Sequence, residues 1–281
     1  MNSDILQELQ LTDAHIQEVH GGDINRTWCV QTKSKWYFLK INDANRYPDM
    51  FAREATGLNV LRGMSTLQVP EVLRHGIING QQYLLMEWLN KDIPQPGFWD
   101  IFGEKLAQMH QIPQPFFGFE EDNYIGSLPQ HNERHESWKN FYANCRILPL
   151  IRSLYNSGSV DRNSVQHAER FCQRLGDIFP AEPPALLHGD LWSGNFMATA
   201  NNEAAIFDPA VYYGHREMDI AMTRLFGGFD KKFYEGYQAT YPLAKGWEER
   251  LPFAQLYPLL VHAILFGGHY VYDVCQILMK F

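Results

Sequence analysis

Alternation of apolar and polar positions dominates roughly the first 88 residues. "IQEVHGGDINRTWCVQTKSKWYFLKIN" breaks into three predicted strands. The first ends at Gly21-Gly22, the second covers Arg26–Thr32, and the third runs Lys35–Ile41 after the turn at "KS". Ser3 ahead of "DILQEL" predicts a short opening helix. Pro48 starts "DMFAREATGLNVL", where Phe51, Ala55, Leu58 and Leu61 recur at helical spacing. "EVLRHGIINGQQYLLMEWL" reads as a hairpin turning at Asn79-Gly80. The predicted order is therefore β-β-β-α-β-β, mostly antiparallel.

The pattern changes at Asn90–Gly97, "NKDIPQPG", a polar, Pro/Gly-rich linker. Helical periodicity follows over Phe98–His110, Glu136–Leu150, Ser164–Phe179, Arg216–Phe226, Lys231–Tyr241 and Glu248 to the last residue. Within that stretch one short hairpin, "NFMATANNEAAIFD", turns at Asn201-Asn202. These patterns predict an α+β chain of two lobes: a β-rich lobe over residues 1–88 and a mostly helical one over 89–281.

Composition narrows the partners. Of the 281 residues, 45% are hydrophobic and 20% charged, the balance of a folded chain. A net charge of −8 without any long Lys/Arg run disfavours nucleic acid. Cys29, Cys145, Cys172 and Cys275 lie far apart and form no CxxC, which points to free thiols in a reducing cytoplasm. The most apolar stretch, Leu256–Val274, is broken by Pro258, His262, Gly267, Gly268 and His269, so it reads as a buried helix pair and not as a membrane span.

The candidate chemistry sits in "LLHGDLWSGNF", Leu186–Phe196. Phosphoryl transfer needs a carboxylate to orient and deprotonate a hydroxyl, and oxygen ligands for Mg²⁺. It also needs a lysine on the phosphates, steadied by a glutamate. All are present in one order. Lys40 ends the third strand, Glu54 lies on the next helix, Asp190 follows His188-Gly189, Asn195 comes after it, and Asp208 closes the apolar strand "AAIFD". This resembles the H-R-D-x-x-x-x-N…D-F-G arrangement of protein kinases. Gly189 replaces the Arg and "DPA" replaces D-F-G, as in the small-molecule branch of that fold. Asp190 is then the base, Asn195 and Asp208 the metal ligands, and Lys40 with Glu54 the phosphate-side pair. Gly21 and Gly22 occupy the place of a phosphate-covering loop. Asp219, on an apolar helix face, is expected to accept backbone N–H bonds from the Asp190 loop.

"HGDLWSGN", "FDPAVYYGHREMDIAMTRLFGGF" and "FGFEEDNYIGSLPQHN" together are similar to the fructosamine kinase (ketosamine-3-kinase) family, across essentially the whole chain. The resemblance implies a protein-kinase-like fold and ATP- and Mg²⁺-dependent phosphorylation of the C3 hydroxyl of small-molecule ketosamines or glycated amines, a deglycating repair. It carries the catalytic role to Asp190 and the hinge nucleotide contact to Glu87, Trp88 and Leu89. Trp192 is placed to stack on a sugar. Tyr213, His215 and Glu217 are candidates for a polar substrate wall, with Glu217 or Asp122 balancing a cationic amine. Two alternatives stay open: a kinase for another amine-bearing molecule, such as an aminoglycoside or choline, and a nucleotide-binding module without turnover.

Overall fold

Five strands make one antiparallel sheet in the computed structural model, which describes residues 3–19 and 24–281. After α1 (Ser3–Glu8) come β1 (His15–Glu18), β2 (Arg26–Gln31), β3 (Trp36–Asp43), α2 (Met50–Met64), β4 (Val72–Ile78) and β5 (Gln81–Glu87). The sheet order is β1-β2-β3-β5-β4. The turn between β4 and β5 puts Asn79 and Gly80 at φ 50° and 78°, the left-handed pair that a two-residue hairpin requires.

The period of two decides what each strand residue does. Leu39 and Ile41 of β3, Trp28 and Val30 of β2, and Tyr83 and Leu85 of β5 face one side. There they form a small core closed by Ile5 of α1 and Leu11. Lys40 takes the opposite face, with Leu84 and Met86 of β5 buried on that side in the larger core. That core also takes Met50, Phe51, Ala55, Leu58 and Leu61 from α2 and continues into the helical lobe. Gly57 of α2 lets the helix press against Val211; a Cβ there would lie 3.1 Å from Val211 Cγ2.

The second lobe opens with α3 (Phe98–His110) and a small hairpin, β6 (Asn123–Ile125) and β7 (Leu128–Gln130). A continuous helical stretch follows: α4 (Trp138–Phe141), a π-helical segment over Tyr142–Ile147, and α5 (Leu148–Asn156). Then come α6 (Arg162–Ile178), β8 (Ala185–Leu187), β9 (Phe196–Thr199), β10 (Glu203–Ile206), β11 (Tyr212–Gly214) and α7 (Glu217–Leu225). Last are α8 (Lys231–Thr240), α9 (Trp247–Ala254), α10 (Leu256–Phe266) and α11 (His269–Leu278). The β6–β7 hairpin and the pairing of β8 with β11 were not expected, because strands of three residues are too short to show a period. The expected final helix from Glu248 is three helices, broken at Gln255 and at Gly267-Gly268, both with positive φ. Of the expected buried pair, α10 is buried, whereas α11 buries only Val274 and Leu278. Among the described residues no helix is long and apolar enough to cross a membrane.

Helices α3 and α8 cross at two glycines. A Cβ on Gly103 would collide with the Phe233 carbonyl oxygen and lie 2.8 Å from Tyr237 N; one on Gly236 would collide with the Asp100 carbonyl. Alanine in place of helical glycine gains about 1 kcal/mol in propensity, but overpacking against backbone costs about 1–3 kcal/mol or more. Gly103→Ala is therefore expected to lower the urea unfolding free energy by about 1–2 kcal/mol. Stability equal to or above wild type would mean that the two helices separate freely.

Candidate active site

Lys40 reaches the cleft between the lobes because β3 turns it away from the outer core. Its side chain is almost fully buried, and a lone ammonium there would be costly. Two carboxylates meet it. Glu54, one helical turn into α2, accepts from Nζ at 2.7 Å, and Asp208 Oδ1 accepts a second bond. Burial opposes the charge on Lys40, but Asp208 and Glu54 outweigh it and hold the ammonium above its ordinary range. Helix α2 starts without a side-chain cap of its own; Gln82 of β5 supplies one, accepting from Phe51 N at 3.1 Å. The sheet thus fixes the helix that carries Glu54.

Asp190 lies on the loop after β8. Asp219 of α7 holds that loop: it accepts from His188 N at 2.8 Å and from Gly189 N at 2.9 Å, as expected from the sequence. His110 Nε2 lies 3.2 Å from the same carboxylate and His110 Nδ1 lies 2.8 Å from Tyr237 OH. Burial would raise the Asp219 carboxyl, but the bonds from His110, the nearby His188 and Gly189 N hold it below the usual carboxylate range. Gly189 sits at φ 83°, and a Cβ there would collide with the Ala210 carbonyl oxygen. The loop therefore admits no side chain at the position where protein kinases carry Arg. Asn195 closes it, donating from Nδ2 to the Asp190 carbonyl at 2.8 Å and to Asp190 Oδ2 at 3.0 Å. Burial pushes the Asp190 carboxyl well above its ordinary range; the Asn195 bond opposes this, and the charges of Asp208 and Asp219 add to it.

Asp208 itself adopts φ 55°, a left-handed conformation that costs an aspartate about 1 kcal/mol or more. It is over-determined by its neighbours: Asn195 Nδ2 lies 3.4 Å from its carbonyl, and Ala210 N donates to His188 O at 2.9 Å. With Lys40 on Oδ1 and the Asn195 amide nitrogen engaged, a carboxylate oxygen and an amide oxygen remain as potential cation ligands. Among the described residues no group of three or more His, Cys, Asp or Glu could hold a metal alone. A donor set of two oxygens fits an ion that takes its other ligands from phosphate and water, the habit of Mg²⁺.

These side chains share a cleft of about 1210 Å³. The sequence singles out only Trp192 of its outer wall. It is aromatic: Trp192, 38% exposed, meets Phe226 edge-on at 6.1 Å, and Phe226 packs at 5.0 Å from His262 of α10. His262 in turn lies 5.5 Å from Phe266 and 5.0 Å from Tyr270 of α11. In "LVHAILFGGHYVY" the spacing of His262, Phe266 and Tyr270 does not mark a wall, because the chain breaks at Gly267-Gly268 between Phe266 and Tyr270.

Three proposed substrate residues do not face this cleft. Tyr213 is buried in β11 with its ring against Phe116 and Phe119. His215 is fully buried, near Pro180 O at 3.3 Å, and burial keeps its pKa low. Glu217 is buried in a paired contact with Arg250, with Nε at 2.9 Å from Oε2. Tyr213 enters the β8–β11 ladder, His215 is packed just after it, and Glu217 sits in the buried first turn of α7. Asp122 stays exposed and is bound to His131 and to Asn132 N. Glu87 faces its neighbouring strand, its N–H donating to Glu71 O at 2.9 Å and its carboxylate accepting from Glu71 N at 3.3 Å. The Trp88 indole N–H donates to Asn90 Oδ1 at 3.1 Å. None of Glu87, Trp88 and Leu89 lines the cleft that holds Lys40 and Asp208; Glu87 and Trp88 line a second pocket with Trp36 and Leu73. Gly21 and Gly22 lie outside the described residues.

Comparison with known proteins places the chain in a family. The chain matches the fructosamine kinase family over residues 2–281. It is 41% identical over 282 aligned positions to a "Probable ketoamine kinase" of Enterococcus faecium, covering 99% of this chain and 98% of that one. It superposes on the crystal structure of a "putative fructosamine-3-kinase" from Thermobifida fusca with a TM-score of 0.88 and 34% identity, over 100% of both chains. A thermostable mutant of the aminoglycoside phosphotransferase APH(4)-Ia, in ternary complex with AMP-PNP and hygromycin B, shares the fold at a TM-score of 0.66 and 15% identity, covering 100% of this chain and 98% of that one.

Asp219→Asn would place an amide N–H group against at least one backbone donor. The expected cost is about 1–3 kcal/mol at neutral pH. Because the folded pKa of Asp219 is depressed, its contribution is present above about pH 3.9 and is lost as pH falls further. Urea titrations should therefore show the gap between wild type and variant narrowing below that pH. A gap that is independent of pH would show that the carboxylate charge is immaterial.

Proposed function

The chain belongs to the fructosamine kinase family, and from this we propose that it transfers the γ-phosphoryl group of ATP, with Mg²⁺, to the C3 hydroxyl of a ketosamine. The observation that carries the reading is the convergence of Lys40, Glu54, Asp190, Asn195 and Asp208 on one cleft. Lys40 is the phosphate-side cation and Glu54 keeps it extended. Asn195 and Asp208 are the residues that would hold Mg²⁺, which when bound supplies charge neutralisation along the phosphates. Asp190 accepts the hydroxyl proton while the substrate oxygen bonds to the γ-phosphorus and the bond to the bridging oxygen breaks, releasing ADP. A raised carboxyl suits this role, since a base is most effective with a pKa nearer the working pH.

The aromatic wall supports a sugar amine as acceptor. Ring faces pack on the C–H face of a sugar and attract a secondary ammonium. With Glu217 committed to Arg250 and Asp122 to His131, the aromatic wall is a partner for that cation, beside the carboxylates that line the cleft. Phosphate on C3 lies next to the C2 carbonyl. Tautomerisation to the C1–C2 enaminol makes it an allylic leaving group; phosphate departs, and hydrolysis by water frees the amine. The enzyme would add a leaving group, and the sugar would complete the deglycation.

Asp190→Asn should lower turnover by roughly 10²–10⁴-fold while Mg²⁺·ATP affinity stays within a few-fold. In wild type the acid limb of kcat/KM should fall above about pH 3.9, since the free carboxyl is raised. Loss of nucleotide binding in calorimetry would move Asp190 into the metal site. For the substrate, phosphorus NMR on fructosyl- and ribulosyl-lysine should show a sugar phosphate that rises and then decays to inorganic phosphate as lysine appears. Phosphorylation of kanamycin or choline alone would favour another amine-bearing substrate. Nucleotide binding without turnover on any of the four would leave a binding module.

A further inference from the structure

Behind the Asp208 strap lies a chain of buried polar groups that the reaction as described does not use. Arg146, in the π-helical segment, is fully buried and makes no ion pair among the described residues. Its guanidinium is enclosed by the rings of Phe141, Tyr212 and Tyr257, at 4.5, 4.3 and 5.0 Å. It donates to the His131 carbonyl, to Cys145 O at 3.2 Å and to Asn132 Oδ1 at 2.7 Å. A buried charge held only by neutral groups is costly to maintain.

Arginine can only donate, so it sets the sense of every amide that follows. With Oδ1 taken by Arg146, Asn132 must offer Nδ2, and it donates to Asn123 Oδ1 at 3.0 Å. Asn123 must then offer its own Nδ2, which donates to Val211 O at 2.8 Å. Tyr257 OH donates to Gln130 Oε1 at 2.7 Å, which turns Gln130 Nε2 toward Ala210 O at 3.0 Å and Asn123 Oδ1 at 2.7 Å. Both branches end as N–H donors on the carbonyls of Ala210 and Val211, two and three residues after Asp208. That is the segment whose strained aspartate needs outside support, and whose Ala210 N already binds the Asp190 loop.

We infer that Gln130 and Asn123 are positioning residues for Asp208. They clamp the Ala210–Val211 carbonyls with amide N–H groups whose direction Arg146 and Tyr257 impose. This rests on the reading of Asp208 as a cation-holding carboxylate. It assigns to the β6–β7 hairpin, whose residues Asn123 to Ser127 also line the cleft, a positioning role that the kinase motif does not give it.

The test is the Mg²⁺-dependent gain in ADP affinity, measured by calorimetry with Mg²⁺ and with EDTA. Removing an outer partner of a metal ligand costs 10–100-fold in affinity, and one acting through the backbone should fall at the low end. Gln130→Met is expected to reduce the Mg²⁺-dependent gain roughly tenfold while ADP binding in EDTA stays at the wild-type value. If Gln130→Met does not fold, Tyr257→Phe, which removes only the far hydroxyl, should reduce the gain about two- to threefold. A full gain in either folded variant, alongside a lost gain in Asp208→Ala, would overturn the positioning role and leave the metal reading intact. Absence of any Mg²⁺-dependent gain in wild type would instead remove the metal reading, and the positioning role with it.

Discussion

The charge on Lys40 is the constraint from which the site follows. An ammonium buried on the cleft face of β3 must be compensated, and removing one partner of such a buried pair typically costs about 3–5 kcal/mol. Its partners come from two other segments, Glu54 on α2 and Asp208 on the strap after β10. Sheet, helix and strap are therefore brought together by one charge. The same arrangement keeps a cation on the wall of the cleft.

The lobes are joined along the side of α2. That helix buries its apolar stripe in the core of the helical lobe, Gly57 lies against Val211, and Tyr124 of β6 donates to Pro48 O at 2.9 Å just before the helix begins. Arg53 and Glu121 add an ion pair across the same seam. Glu54 is thus presented to Lys40 by packing. In protein kinases a phosphorylated segment can dock on the Arg of the catalytic loop. Here the backbone at Gly189 excludes any side chain, so position on this loop is set by Asp219 from behind. The balance of forces favours a site assembled on folding.

Opposite the carboxylates, the cleft is walled by the last helices of the chain. Trp192 and Phe226 continue the catalytic loop and α7, and His262, Phe266 and Tyr270 complete the wall from α10 and α11. The polar groups and the aromatic wall of the cleft are thereby carried by different segments. The polar side uses a few groups in fixed order, and the aromatic side comes largely from helices far along the chain.

Much of this was legible in one dimension. Alternation placed β2, β3, β4 and β5, Asn79-Gly80 located their hairpin, and phosphate chemistry singled out Lys40, Glu54, Asp190, Asn195 and Asp208, which the fold collects in one cleft. These features are local, or belong to a motif whose order is dictated by the reaction. Tyr213, His215 and Glu217 show where such reasoning stops. They follow Asp208 closely in sequence, yet the β8–β11 ladder buries Tyr213, His215 is packed just after it and Glu217 is held by Arg250 at the start of α7, because nearness along the chain does not determine which way a side chain faces. The strands of three residues, the aromatic wall of α10 and α11, and the Arg146 network were decided by tertiary structure alone. Each depends on contacts between segments far apart in sequence, and no local period records which distant partner a polar side chain will find.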